Sequence, residues 1–250
     1  MPSRLPLLKV SALSVLLVPG YALAQEPVSQ IGIKGSYSEQ TFDSDIEAID
    51  DSTGRMPKVG LFYNFGNKLT AESGFIYQAG IEASYGERDD NEVRDARAEI
   101  DLGLRGALDN NLYADLIVGA GYDWTRYEPD AGDGLETRMT NKSPFAKAAV
   151  ALGHQGPTVG TRLEVGTRYS IDGRTNFRVE DVGSETLDMK NQANPYAELS
   201  FLWNQREGAM PVSASVYYER KNYALDDSEL LSDNTRLKSE EVGLRLGMLF

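Results

Sequence analysis

Apolar and polar residues alternate one by one along most of this chain, and a period of two marks a β-strand with two unlike faces. The closing stretch shows it. Val242, Leu244, Leu246, Met248 and Phe250 fall on one face, Glu241, Gly243, Arg245 and Gly247 on the other, with Leu249 the exception. Ten such segments are read, at 30–39, 58–65, 75–85, 96–108, 112–124, 145–152, 159–171, 195–203, 212–221 and 241–250. The clearest is 112–124, where Leu112, Ala114, Leu116, Val118, Ala120, Tyr122 and Trp124 share a face. The expected fold class is all-β.

The connections between these segments alternate in length. Those at 41–56, 86–95, 125–143, 172–194 and 222–240 are long, polar and acidic, and those at 66–74, 109–111, 153–158 and 204–211 are short. A soluble sandwich has no reason to alternate in this way. An up-and-down barrel through an outer membrane does, because its periplasmic turns are short and its external loops long. An even strand number then puts both ends of the barrel on the periplasmic side. Ahead of it, Arg4 and Lys9 precede an apolar run, Val10 to Val18, and the small-x-small site Ala22-Leu23-Ala24. That order reads as a signal peptide over 1–24, cut before Gln25, which leaves 25–250 as the barrel domain. The run is too short for the about 20 residues of a spanning helix. The later segments are broken every second residue, so a membrane span there has to be a barrel.

Cysteine is absent, which excludes disulfides, cysteine metal sites and a lipid anchor on a mature N-terminal cysteine. The net charge of −13 argues against nucleic acid as a partner. The acidic runs at Asp43–Glu47, Asp89–Glu92 and Asp226–Glu229 lack the Gly and Glu spacing of a calcium loop and read as solvated loop surface. No cofactor or metal site is expected.

Aromatic residues sit at the ends of the apolar faces. Tyr37, Tyr85, Tyr122, Trp124, Tyr169 and Tyr218 lie at the expected outer ends, and Phe65, Phe75, Phe201, Trp203 and Phe250 at the inner ends. Two belts of this kind anchor a barrel at both membrane interfaces. The ten steps from Phe75 to Tyr85 cover about 33 Å of strand, or about 25 Å of height at a tilt of roughly 40°. A water-soluble barrel would alternate as well but would bury the apolar face. The belts, the alternating loops and the closing aromatic favour the membrane.

With its leader and its closing strand, this pattern resembles the small bacterial outer-membrane β-barrels, the OmpA-, OmpX- and opacity-like superfamily. The resemblance spans all of the chain after the leader, as a pattern rather than a motif. It implies a ten-stranded transmembrane antiparallel up-and-down barrel in the outer membrane of a Gram-negative cell. The implied partners are membrane lipid and lipopolysaccharide, and the barrel-assembly machinery acting through the closing strand, with Phe250 as its signal. A monomer and a surface ligand fit the same resemblance.

The face opposite the belts is polar. Its basic residues are Lys34, Lys58, Arg97, Arg105, Lys147, Arg162, Arg168, Lys221 and Arg245; its acidic ones are Glu82, Glu99, Asp101, Asp115, Asp123, Glu164, Glu198, Glu219 and Glu241. Burying an unpaired charge is costly, so ion pairs across neighbouring strands are expected, among them Glu82 with Arg97, Arg105 with Asp115 and Arg168 with Glu198. Eight strands give a barrel filled by its side chains and sixteen an aqueous channel; ten strands with balanced charges read as mostly closed. Inward glycines, Gly60, Gly80, Gly103, Gly119, Gly121, Gly166 and Gly243, serve either as room for a channel or as space for strand curvature and a facing arginine.

The omptin proteases are also ten-stranded and use a histidine with aspartates near the external rim. Here the only histidine, His154, falls in Gly153-His154-Gln155-Gly156-Pro157, read as a periplasmic turn, and that motif holds no Ser or Asp. The leading expectation is a non-enzymatic barrel that displays acidic loops, for envelope structure or surface interaction. The alternative is a narrow porin for ions or small solutes through the charged lumen. Arg220, outward near the upper rim, is a candidate partner for a lipid phosphate.

Overall fold

The computed structural model describes residues 26–43, 52–89, 91–128, 137–179, 183–203, 210–224 and 236–250. The candidate leader, 1–24, lies outside them, as do Asp45, Glu47, Asp90, Asp226, Asp227 and Glu229 of the acidic runs. The described residues form β1 (Val28–Asp43), β2 (Ser52–Gly66), β3 (Gly74–Arg88), β4 (Asn91–Ala107), β5 (Leu112–Glu128), β6 (Thr137–Gln155), β7 (Val159–Ser170), β8 (Arg174–Val179), β9 (Gly183–Asp188), β10 (Ala193–Trp203), β11 (Val212–Ala224) and β12 (Arg236–Leu249). Ten of them close a ring, β1 through β7, then β10, β11 and β12, and back to β1. Every neighbouring pair is antiparallel. Closure leaves no bare strand edge in the ring, as a membrane requires; β9, which pairs only with β8, lies outside it.

The strands are longer than hydropathy alone marks. Residues 41–43, 52–56, 86–88, 91–95, 125–128, 137–143, 222–224 and 236–240 belong to strands, although their sequences read as loop. β6 runs 19 residues, about 60 Å along the strand and about 45–50 Å of height at a tilt of roughly 40°, against an apolar band of about 25 Å. Above that band the outward face meets polar surroundings instead of lipid. The hydropathy alternation therefore lapses while the backbone ladder continues.

The segment 172–194 also differs from the single long loop expected. β8 takes over from β7 as the partner of β6, which pairs with β7 through residues 145–155 and with β8 through 137–142. Between them the chain kinks at Asp172, whose φ of 48° is a conformation that Asp tolerates better than most residues. The β8–β9 hairpin thus continues the wall of the barrel upward.

The apolar face points outward. Leu116, Val118 and Leu246 are 63%, 58% and 55% exposed, which excludes the water-soluble arrangement in which they fill the centre. A soluble monomer does not leave so continuous an apolar belt bare. Leu249, the exception in the closing strand, points inward and is buried.

The inward face is not uniformly polar. Phe62, Tyr113, Phe145, Tyr196 and Tyr217 are all buried there, and each is directly opposite a glycine on the next strand: Gly32, Gly153, Gly121, Gly166 and Gly243. A ring lying across its partner strand needs that strand to carry no Cβ. A Cβ at Gly243 would stand 2.5 Å from the Tyr217 ring, far inside van der Waals contact. Of the seven inward glycines expected, Gly60, Gly80, Gly103 and Gly119 stand opposite Lys34, Asn64, Ile76 and Asp101, while Gly121, Gly166 and Gly243, with Gly32 and Gly153 added, offer neither room for a channel nor the expected space for a facing arginine. They seat aromatic rings, and the arginines stack on the other side of three of them: Arg105 is 3.7 Å above Tyr113, Arg168 is 4.1 Å above Tyr196 and Arg245 is 4.1 Å above Tyr217.

Candidate functional site, the charged lumen

Alternation along each strand sends every second residue of the ring into the lumen, and the register sets which charges meet. Arg97, on β4, reaches Asp123 at 2.7 Å, Glu82 at 3.6 Å and, closest, Glu219. Arg105 holds Asp115 by two hydrogen bonds, from Nε at 2.7 Å and Nη2 at 2.9 Å, and both side chains are completely buried. Arg162 bridges Asp115 at 3.0 Å and Glu164 at 2.6 Å. Lys147 sits among Glu99 at 2.6 Å, Asp101 at 2.7 Å and Glu164 at 3.1 Å. Arg245 joins Glu82 and Glu198, each at 2.8 Å. Lys34 lies 3.1 Å from Glu82, Lys58 contacts Glu241 and Asp95, and Lys221 lies 3.9 Å from Asp123.

Arg168 differs from expectation. It faces Glu99 at 2.7 Å and Glu219 at 3.5 Å, not Glu198. In the β7–β10 register Arg168 stands opposite Asn194, and Glu198 stands opposite Glu164. Arg245, reaching in from β12, neutralises Glu198 instead.

Two members of the network lie in segments read from sequence as connections. Asp95, in the part of β4 taken for loop, accepts a hydrogen bond from Lys58 at 2.6 Å and from the Thr125 hydroxyl at 2.8 Å. Lys68 belongs to the β2–β3 turn, which folds up into the barrel instead of hanging below it. Its Nζ lies 2.6 Å from Asp101 and 3.1 Å from Glu164. Arg105 donates to the backbone carbonyls of Lys68, at 2.8 Å, and of Ala71. Asn67 and Ala71 are each 1% exposed. The tucked turn packs against Ile76, Ile117, Ala149 and Tyr196 and closes the end of the lumen that carries the short connections.

The opposite end is closed by apolar residues. Met139 of β6, Leu187 of β9, Met189, Tyr223 of β11 and Leu237 of β12 form one buried cluster. Between the two plugs the lumen keeps a cavity of about 90 Å³, lined by charged and polar groups that include Lys68, Glu82, Arg97, Asp101 and Lys147. That is room for a few waters.

Outside the lumen, Tyr37, Phe65, Phe75, Tyr85, Tyr122, Tyr169, Tyr218 and Phe250 are exposed on the outer face, and Trp124, Phe201 and Trp203 are half-buried there. Phe201 stacks on Trp203 with ring centroids 5.7 Å apart. The Phe250 backbone exchanges two hydrogen bonds with Ser29 of β1 across the barrel seam, at 2.8 and 2.9 Å. His154 is part of β6, not of a turn. It pairs with Leu112 and Thr161, points outward, and lies at the same end as Phe250.

A family model described as an outer membrane protein beta-barrel domain matches residues 10–208. The outer membrane protease OmpT of Escherichia coli has a similar structure, with a TM-score of 0.61 at 8% identity, covering 91% of this chain and 97% of that one. The translocator domain of the autotransporter NalP from Neisseria meningitidis gives 0.43 at 13% identity over 87% of each chain. Ail, the attachment invasion locus protein of Yersinia pestis, gives 0.33 at 13% identity over 90% of this chain and 100% of that one. No curated protein matches in sequence. At such identities the likeness to OmpT is one of fold alone, and the two lower scores carry no further weight.

Proposed function

We propose a function on the premise of the family: the chain belongs to the outer membrane protein beta-barrel domain family and is a closed barrel of the outer membrane. In our reading it is a non-enzymatic, non-conducting stalk that raises acidic loop tips above the membrane, for envelope structure or contact with a surface partner. The observation that carries this is the lumen. It is stopped by the tucked turn at one end, by ion pairs along its length and by an apolar cluster at the other end, and the cavity between them, lined by described residues, measures about 90 Å³. A solute path would have to break buried ion pairs, each costing several kcal/mol to open. The tips themselves are acidic without exception: 44–51, 129–136, 180–182 and 225–235 contain no Lys or Arg. His154, at the opposite end from these tips, lies far from any chemistry at the external rim.

Planar-bilayer recording of the purified protein tests this reading against the porin alternative. The stalk predicts a silent bilayer. Discrete conductance steps whose size changes when Arg97, Arg105 or Arg162 is replaced would establish the porin instead.

A further inference from the structure

The end of the barrel that carries the short connections holds a second pocket, which shares no lining residue with the lumen cavity. Three elements wall it: the tucked turn between β2 and β3, the β4–β5 turn and Gln155, the last residue of β6. Gln155 ties the other two together. Its Nε2 donates to the Ala71 carbonyl at 3.1 Å, and its backbone N–H donates to the Asn111 carbonyl at 2.8 Å. Within the β4–β5 turn, Asp109 Oδ1 accepts from the Asn110 N–H at 2.7 Å, and the Asp109 carbonyl accepts from the Leu112 N–H at 3.3 Å. The walls are therefore set before anything binds. The pocket measures about 610 Å³, within the range of small-ligand sites.

Its lining selects by chemistry. Glu72, Asp109, Asn110, Asn111 and Gln155 supply carboxylates and carboxamides, and Leu108 and Leu112 give it an apolar side. No lysine, arginine or histidine lines it, so an anion would meet no compensating charge there. Polar side chains of this kind occur in many turns. What sets the pocket apart is Tyr113, which lines it although it is only 5% exposed. Arg105, 3.7 Å away, holds one face of the ring, and Gly153 stands opposite on β6. The hydroxyl has no hydrogen-bond partner among the described residues. A buried phenol is hydrogen-bonded as a rule, and the pocket is where a partner can reach this one.

We propose that this pocket binds the glycan of the cell wall, a chain of N-acetylated amino sugars whose backbone carries no phosphate. Sugar hydroxyls donate and accept. They donate to the carboxylates of Glu72 and Asp109, and they pair in either sense with Tyr113 and the carboxamides. An acetamido group offers one N–H and one C=O, the complement of the Asn110 and Asn111 side chains. Leu108 and Leu112 meet the C–H face of a sugar ring. The short connections of such a barrel lie on the periplasmic side, where that polymer lies. The site rests only on the protein's place in the outer membrane and stands whether or not the lumen conducts.

The probe is chitotetraose, a soluble chain of N-acetylglucosamine, titrated by calorimetry against the folded full-length barrel in phosphatidylcholine discs. Heat-shifted gel migration confirms folding of every variant. The expected result is saturable binding, weakened about tenfold by Tyr113→Phe, which deletes only the hydroxyl, and about tenfold by Asn111→Ala, each the loss of one hydrogen bond. Maltotetraose, which has hydroxyls but no acetamido group, binds at least about tenfold more weakly on the same reckoning. Purified cell-wall sacculi retain the wild type and release the two variants, and Met210→Gln, at another short connection, leaves every readout unchanged. Absence of saturable binding, wild-type affinity in the Tyr113→Phe/Asn111→Ala double variant, or equal binding of maltotetraose would overturn the proposal. So would displacement by spermidine or a loss of affinity with added salt, since both mark a site for cations. Chitotetraose binding without retention by sacculi would overturn the cell wall as the source.

Discussion

Replacing Arg105 with Leu lowers the unfolding free energy of the barrel by about 3–5 kcal/mol, the cost of removing one partner from a buried ion pair. Arg105 is the residue from which the base of the lumen is hung. It is fully buried with Asp115, donates to two carbonyls of the inward turn and lies flat on Tyr113. Leucine fills a similar volume but leaves the two carbonyls without this donor and Asp115 with Arg162 alone. The turn over 67–72 should then come free of its seat. Two measurements check this: urea unfolding in lipid vesicles followed by tryptophan fluorescence, and proteolysis from the side of the short connections. A loss below about 1 kcal/mol, the range of exposed ion pairs, would mean that water reaches this pair. Because the pair is buried, the loss should also change little with added salt.

Gly243→Leu is expected to cost at least the about 1–3 kcal/mol of an overpacked interior, through the Tyr217 ring that lies across Gly243. The ring cannot move without breaking other contacts. Its hydroxyl donates to Glu241 at 2.5 Å, and Arg245 stacks on its face at 4.1 Å. The second substitution Tyr217→Ser, which removes the ring, should recover part of the loss, although it gives up the Arg245 contact. Unfolding free energies of the two single variants and the double variant form a cycle that isolates the pair. Additive losses would show that the glycine and the ring do not share this space.

The lower half of the molecule was legible because the membrane enforces the pattern there. Each strand between its aromatic ends must present apolar side chains outward, so the sequence could be read at a period of two and the strand order followed from loop lengths. Arg105 with Asp115 was foreseen because a tight turn joins those strands and fixes the register, and Glu82 with Arg97 because consecutive strands of an up-and-down barrel are neighbours, although their connection, read as a long loop, is a hairpin paired as far as Arg88 and Asn91. Arg168 with Glu198 was expected but does not form, because the β8–β9 hairpin lies between β7 and β10 and leaves their register free of any short turn. Lys68 was hidden in a turn whose sequence gives no sign that it folds inward. Asp95 was hidden because above the membrane polar residues follow one another and strand looks like loop. The inward aromatics were missed for a different reason. The period that puts Tyr218 and Tyr63 outward turns Tyr217 and Phe62 inward, but only their pairing with Gly243 and Gly32 on another strand reveals the room that lets a ring lie there.

Native cysteine is absent, so single cysteines report on one position each, and Val118→Cys and Ser215→Cys address the two faces directly. Val118 is 58% exposed on the outer face and Ser215 is 7% exposed inside. In vesicles, a spin label at Val118 should collide with oxygen dissolved in the lipid and escape a water-soluble nickel complex. The Ser215 thiol should resist charged thiol reagents added to either side. A nickel-accessible label at Val118, or rapid modification at Ser215, would contradict a sealed barrel with its charges within.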